Sequence, residues 1–376
     1  LRSSLWGRAG GWNGVLLAGI IVALLRAAQL LVIHWMKPSA LPGALLAWDG
    51  GWFINVATEG YPDGYTYDTS GVRVGNGFAF FPLWPGVIKT ISLLGVPKEG
   101  SSLFAAFILG IAAGIGVYLL GTAIWSRGVG YALAVVVCGQ PMSVVLLMGY
   151  TESLFLTLVT VTLIAAHQRV WWVAGVAGIA GALTRPTGMA LALALALAVV
   201  LSWRESTARQ RVWASTAAGA SLMAGPLFLA WVGWRVGEWD AWFKVQTAGW
   251  GSTFDFGQSV VEFVAGTLRS GTAMVEAVTV WFLLGAVVFS LVAVWQRIWP
   301  PLAAFGLLAL GLVVGQAGYW HSKPRLLIPV LLLAGVPVAQ ALARAPRTTA
   351  VAALAVWSAF GLWFGAHMIT VWPFTI

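Results

Sequence analysis

Four short stretches hold ionisable side chains in settings where chemistry is possible. In Trp48-Asp49-Gly50-Gly51-Trp52-Phe53 a carboxylate lies between indoles, just after the first long apolar run. Such an acid at a membrane boundary is a functional candidate. Asp49 can act as a helix N-cap, or as a general base that takes a proton from a hydroxyl. In Tyr319-Trp320-His321-Ser322-Lys323-Pro324-Arg325 three potentially cationic groups crowd together. His321, Lys323 and Arg325 suit a phosphate, with the arginine fork and the lysine point charge as complementary donors. The plainer alternative is that Lys323 and Arg325 snorkel from helix ends. Glu152, in Gly149-Tyr150-Thr151-Glu152-Ser153, either favours a helix N-terminus or bonds a sugar or Arg185. Arg185, in Thr184-Arg185-Pro186-Thr187-Gly188, interrupts an apolar run and needs an anionic partner, either Glu152 or substrate.

The elements that position these groups read as spans. Apolar runs of about 17–25 residues predict about eleven transmembrane helices. They cover 14–35, 103–124, 129–148, 152–168, 170–184, 186–203, 212–234, 275–296, 300–318, 325–343 and 349–371. The first is too long for a signal-peptide core. Two long polar intervals separate them, 37–102 and 235–273. Within the first, helical spacing from Asp49 to Glu59 puts Trp48, Trp52, Phe53, Val56 and Ala57 on one apolar face, with Gly60 as a stop. That predicts a short helix lying in the interface. Asp63-Gly64-Tyr65-Thr66-Tyr67-Asp68 reads as a mobile turn. The segment Asn76–Pro85, rich in aromatics and proline, either lines a lipid groove or packs at the interface. Trp239–Trp250, containing Gln246, reads as a second interfacial helix.

Composition sets the class. Of 376 residues, 60% are hydrophobic and only 9% charged, against about 25% in a soluble domain, so this is a polytopic, all-α membrane protein. The net charge of +9 reflects topology rather than nucleic-acid binding. Arg2, Arg8, Arg127, Arg169, Arg204, Arg209, Arg211, Arg297, Arg344 and Arg347 fall on one side with a single acid, Glu205. The positive-inside rule makes that side cytoplasmic and the two long intervals external. Joining the fifth and sixth spans would carry Arg204, Arg209 and Arg211 outside, so they are separate. Cys138 is the only cysteine, and no Walker loop, dinucleotide fingerprint or metal-ligand cluster is present. The expectation is one integral domain, 1–376, with no cofactor and no metal. An enzyme working on the outer face needs its activated group delivered on a lipid.

The motifs carry a resemblance. Trp48-Asp49 with Phe53, Ala57 and Gly60-Tyr61, followed by Phe78-Ala79-Phe80-Phe81-Pro82 and Pro85, resembles the PIG-V type mannosyltransferases. Pro141, Tyr150, Glu152 and Ser153 are similar to that family's third motif, Arg185 with Gly188 to its Arg-Ser-Asn-Gly-like element, and Arg325 with Pro329 to its C-terminal element. The likeness covers about residues 48–330; the chain departs from it where Trp52 stands for the family's usual histidine. The resemblance implies a GT-C fold, with interfacial helices in the outer loops. It also implies a polyprenyl-phosphate mannose donor, inversion at the anomeric carbon and a catalytic acid at Asp49. The acceptor expected is a glycolipid such as a phosphatidylinositol mannoside, or a protein hydroxyl. Glu152, Arg185, Trp52, Tyr61 and Gln246 are the candidate substrate contacts; His321, Lys323 and Arg325 are the candidate donor-phosphate site. The expected setting is the plasma membrane, with the site on its outer face and membrane lipids as neighbours. The competing class is a lipid or sugar transporter, and a same-fold transferase using another sugar is a third reading.

Overall fold

The computed structural model describes residues 5–376, so Arg2 lies outside the described chain. The order begins with α1 (Leu5–Arg8), α2 (Gly11–Met36), α3 (Asp49–Glu59), α4 (Leu83–Ser92), α5 (Lys98–Ile124) and α6 (Arg127–Cys138). It continues with α7 (Glu152–His167), α8 (Trp171–Ala182), α9 (Gly188–Ser202), α10 (Ala208–Val236), α11 (Ala241–Trp250) and α12 (Gln258–Ser270). It ends with α13 (Met274–Trp295), α14 (Pro300–Gly315), α15 (Lys323–Leu326), α16 (Leu331–Arg344) and α17 (Arg347–Thr370). Among the described residues the only sheet is a hairpin of β1 (Thr66–Tyr67) and β2 (Arg73–Val74).

All eleven expected spans fall on helices, but they are not equivalent. Six stretches are long and apolar enough to cross a membrane: α2, α5, α9 with its terminal turn, α10, α13 and α17. A seventh forms if the 320–326 segment and α16, bent by 64° to each other, count as one. The remaining four, α6, α7, α8 and α14, have only 12 to 16 residues. At 1.5 Å per residue these reach about 18–24 Å, short of a hydrocarbon core of about 30 Å. A multi-pass helical membrane protein is the class this architecture supports.

The expected span 129–148 is corrected. Helix α6 ends at Cys138, and 139–151 is irregular yet buried throughout. Pro141 lacks the N–H a continuing helix needs, and the residue before a proline is pushed out of helical geometry. Non-helical backbone within a membrane bundle persists only where protein groups satisfy it. Here they do. Arg26 of α2, fully buried, donates to the carbonyls of Cys138 and Ser143. Ser153 Oγ donates to Leu146 O at 2.9 Å and Trp84 Nε1 to Gly149 O at 3.0 Å. Gly361 of α17 packs against this segment so closely that a Cβ there would lie 2.0 Å from Gly139 O.

Helices α8 and α9 are separate. Gly178 faces Leu195 and Gly181 faces Leu191, so the two run antiparallel about the turn 183–187. Some of the arginines expected on one side meet local partners: Arg127 donates to Arg8 O, Arg169 pairs with Glu205, and Arg211 donates to Trp203 O.

In the first long interval, α3 spans the predicted Asp49–Glu59 and buries Phe53, Val56 and Ala57, and Gly60 takes φ +85 at its end. Of the segment expected as a turn, Asp63 and Gly64 bend, while Thr66 and Tyr67 form β1 and Asp68 opens the turn of the β1–β2 hairpin. Asp68 accepts from Ser70 N, Ser70 Oγ and Val72 N to fix its tip. The two intervals lock together: Tyr65 donates to Glu238 at 2.8 Å, Lys244 pairs with Glu238 and Asp240, and Asp63 pairs with Arg235. Pro85 sits in the first turn of α4, where its missing N–H has no intrahelical acceptor to lose. Phe78, Phe81 and Trp84 lie in the core rather than on an open face.

Candidate functional site

Four helix ends and turns converge on one cavity of about 580 Å³. Asp49 is the first residue of α3 and Glu152 the first of α7. Both carboxylates therefore sit at positive helix ends. Arg185 lies in the α8–α9 turn, and Lys323 and Arg325 lie in α15. Trp48, just before Asp49, takes φ +54, a left-handed value uncommon for a bulky side chain. Opposite these groups Gly75 and Gly249, one from each long interval, cross at the rim. A Cβ on Gly75 would stand 2.7 Å from Gly249 Cα.

The charges form a chain. Arg325 Nη1 donates to Asp49 Oδ2 at 2.8 Å, and Arg325 Nε lies 3.5 Å from Glu152 Oε1. The same Oε1 lies 3.0 Å from Arg185 Nη1. Glu152 is 3% exposed, Arg325 13% and Asp49 20%, so Asp49 is the most open of the linked groups. The Arg325 guanidinium also stands 5.0 Å from the Tyr150 ring centroid. Two contacts in this chain lack hydrogen-bond alignment: Arg185 Nη1 and Arg325 Nε are buried without a hydrogen-bond partner among the described residues. Buried donors left unmatched are uncommon and call for a reason.

The N-cap role weighed for Asp49 is not the one it takes. Trp48 occupies the cap position, and the Asp49 carboxylate turns to Arg325. Arg185 finds its anionic partner in Glu152.

Of the candidate residues, Asp49, Trp52, Glu152, Arg185, Gln246, Lys323 and Arg325 line the cavity, and His321 and Tyr61 do not. His321 is buried within an aromatic nest of Tyr319, Trp320, Trp372 and Phe374. Tyr61 donates to Phe80 O at 2.8 Å, with its ring stacked on Phe78. Burial pushes its hydroxyl well above the usual tyrosine range, which keeps it a donor. Gln246 donates to Ala79 O at 3.0 Å. Tyr61 and Gln246 thus hold the neighbouring carbonyls of 79 and 80, which fixes the aromatic segment forming one cavity wall. Trp52 stacks on Phe80 at 6.1 Å and meets Trp250 edge-on at 6.0 Å. Lys323 Nζ donates to Val313 O and Gln316 O, the carbonyl end of α14.

Sequence reasoning missed Tyr150 as a site residue, although it stands two positions from Glu152 in a quoted motif. It also passed over Thr184, Gln316 and Ser322, which line the same cavity. A second cavity, about 440 Å³ between α9 and α10, contains Arg204 and Ser215 but no carboxylate, and offers no acid–base pair. No group of three or more His, Cys, Asp or Glu side chains among the described residues is placed to hold a metal ion.

Neither a family model nor a curated protein matches this chain.

The arrangement can bind an anion and move a proton in one place. Three cationic side chains and two carboxylates line the cavity, a formal surplus of one positive charge, with Arg185 and Arg325 against the carboxylates and Lys323 bonded to carbonyls. Trp52, Phe80 and Trp250 supply flat apolar surface beside the charges.

Proposed function

We propose that the protein is a membrane glycosyltransferase. In this reading it moves a mannosyl residue from a polyprenyl-phosphate donor to a hydroxyl of a glycolipid, with inversion, on the outer face of the plasma membrane. The observation that carries the reading is the placement of Asp49, a partly open carboxylate, against Arg325 in a cavity walled by indoles. The sugar identity rests on the motif resemblance alone. The outer-face assignment rests on the distribution of arginines.

The chemistry follows from the groups present. A lipid-phosphate sugar already carries its leaving group, so no nucleotide is required. The acceptor oxygen attacks C1 from the side opposite the phosphate. The bond from C1 to the phosphate oxygen breaks, and its electron pair stays on the phosphate. Asp49 takes the acceptor proton. Arg325 stabilises the charge that grows on the leaving oxygen. The surplus positive charge supports a ligand of one negative charge, as a phosphodiester has. Trp52 and Trp250 suit the apolar face of a sugar ring.

The test is direct. Purified protein in nanodiscs is incubated with polyprenyl-phosphate mannose and a panel of membrane glycolipids, and products are identified by mass spectrometry. The reading expects a mannosylated glycolipid of inverted anomeric configuration. Movement of labelled lipid across the bilayer with no new glycosidic bond supports a transporter instead.

A further inference from the structure

Asp49 Oδ2 is engaged while Arg325 Nη1 donates to it at 2.8 Å, so that oxygen is not free to take a proton from a hydroxyl. Yet Arg325 is also the cation best placed to meet an incoming phosphate. We propose that these two facts are one device: Arg325 holds Asp49 in reserve until an anionic lipid phosphate enters, then transfers its fork to that phosphate and releases the carboxylate for the acceptor hydroxyl. Glu152 is the positioning residue of the device. It lies 3.5 Å from Arg325 Nε and 3.0 Å from Arg185 Nη1, so Arg325 stays anchored when it lets Asp49 go. Arg325 Nη1, once released from Asp49, turns to the phosphate while Nε stays beside Glu152. A phosphate offers the guanidinium two oxygens, against the single Asp49 oxygen it now engages. The balance is simple: the proton on the acceptor oxygen passes to Asp49, and the positive charge of Arg325 is shared with the phosphate instead of Asp49. The donor must therefore bind before the acceptor.

This inference rests on the transferase reading, and the experiment separates the two. In nanodiscs, difference infrared spectra are recorded as a long-chain lipid phosphate is added, with Asp49→Asn as the blank that assigns the carboxylate bands. Release of Asp49 from Arg325 shifts its carboxylate stretch. The wild type is expected to show an Asp49-dependent shift on binding, and Glu152→Gln a smaller one at weaker affinity. In parallel, affinity for a non-reacting glycolipid acceptor is measured with and without a non-transferable lipid-phosphate sugar; the expected gain is about tenfold, an ordinary allosteric coupling. Lipid phosphate that binds with no shift in Asp49, or acceptor affinity indifferent to the donor, overturns the exchange and leaves the transferase reading standing. A cavity that binds no lipid phosphate overturns both.

Discussion

At the scale of single residues, what decides a role is the partner a side chain finds. Arg325→Ala removes the cation that touches both carboxylates. Donor KM should rise by at least about tenfold, and kcat should fall by about 10²-fold, the order seen when a transition-state donor is lost. Arg325→Lys should recover only part, because a point charge cannot replace the fork; initial-rate kinetics over a range of donor concentrations check both. Tyr61→Phe behaves differently. It deletes one hydrogen bond behind the cavity wall, so thermal unfolding should register a loss of about 0.5–1.5 kcal/mol while donor KM stays within a few-fold. The sequence exposed Asp49, Glu152, Arg185 and Arg325 because an ionisable group inside an apolar run has to be explained. It could not tell that His321 turns into a nest completed by Trp372 and Phe374, or that Gln246 bonds the Ala79 carbonyl, because those partners lie far away along the chain. Arg26 carried the same signal as Arg185 and was overlooked, since nothing near it in sequence suggests the carbonyls it serves.

At the scale of elements, α3 was legible from its first residue to its last, because its apolar face, opening acid and closing glycine all lie within one short window. The third span was not. A hydropathy window sees 129–148 as one apolar run and is blind to the break that Pro141 imposes. Arg26→Met tests how that break is supported. It strips a charged donor from two carbonyls, and hydrogen bonds to charged groups contribute about 1.5–3 kcal/mol each. A fall in melting temperature well beyond that of Tyr61→Phe is expected in detergent, with Arg26→Lys in between. The β1–β2 hairpin offers a second test. Lys244 first, then Tyr65, hold the Glu238 carboxyl below the usual glutamate range, and the Tyr65 hydroxyl is pushed up to about 12. A depressed carboxyl stabilises above its unfolded pKa, and that contribution is lost as pH falls through the folded value. Protection of the Tyr67 and Arg73 amides, relative to their intrinsic exchange rates, should therefore fall below about pH 4.3. Glu238→Gln should remove the pH dependence.

At the scale of the whole molecule, composition alone placed the chain in a membrane, and six or seven long apolar helices accord with that. The count of eleven full crossings was beyond sequence, because short buried helices and long ones share the same hydropathy. The proposed sidedness rests on the arginines, and the single native cysteine, Cys138, is buried, so introduced thiols can report it cleanly. Cysteines at the exposed positions Thr69 and Thr253 should react with an impermeant thiol reagent in intact cells, and one at Arg209 should not. Labelling at Arg209 alone would invert the topology and move the cavity to the cytoplasmic face.

The central claim is that Asp49 takes the acceptor proton, and Asp49→Asn tests it most directly. Asparagine keeps the size of the side chain and an oxygen for Arg325, so the fold and the binding of lipid phosphate should persist. It cannot accept the proton as a carboxylate does, and general-base catalysis contributes about 10²–10⁴-fold. Sugar transfer from polyprenyl-phosphate mannose, normalised to folded protein in nanodiscs, should fall by at least that lower bound. Transfer within a few-fold of wild type would contradict the claim and pass the role to Glu152.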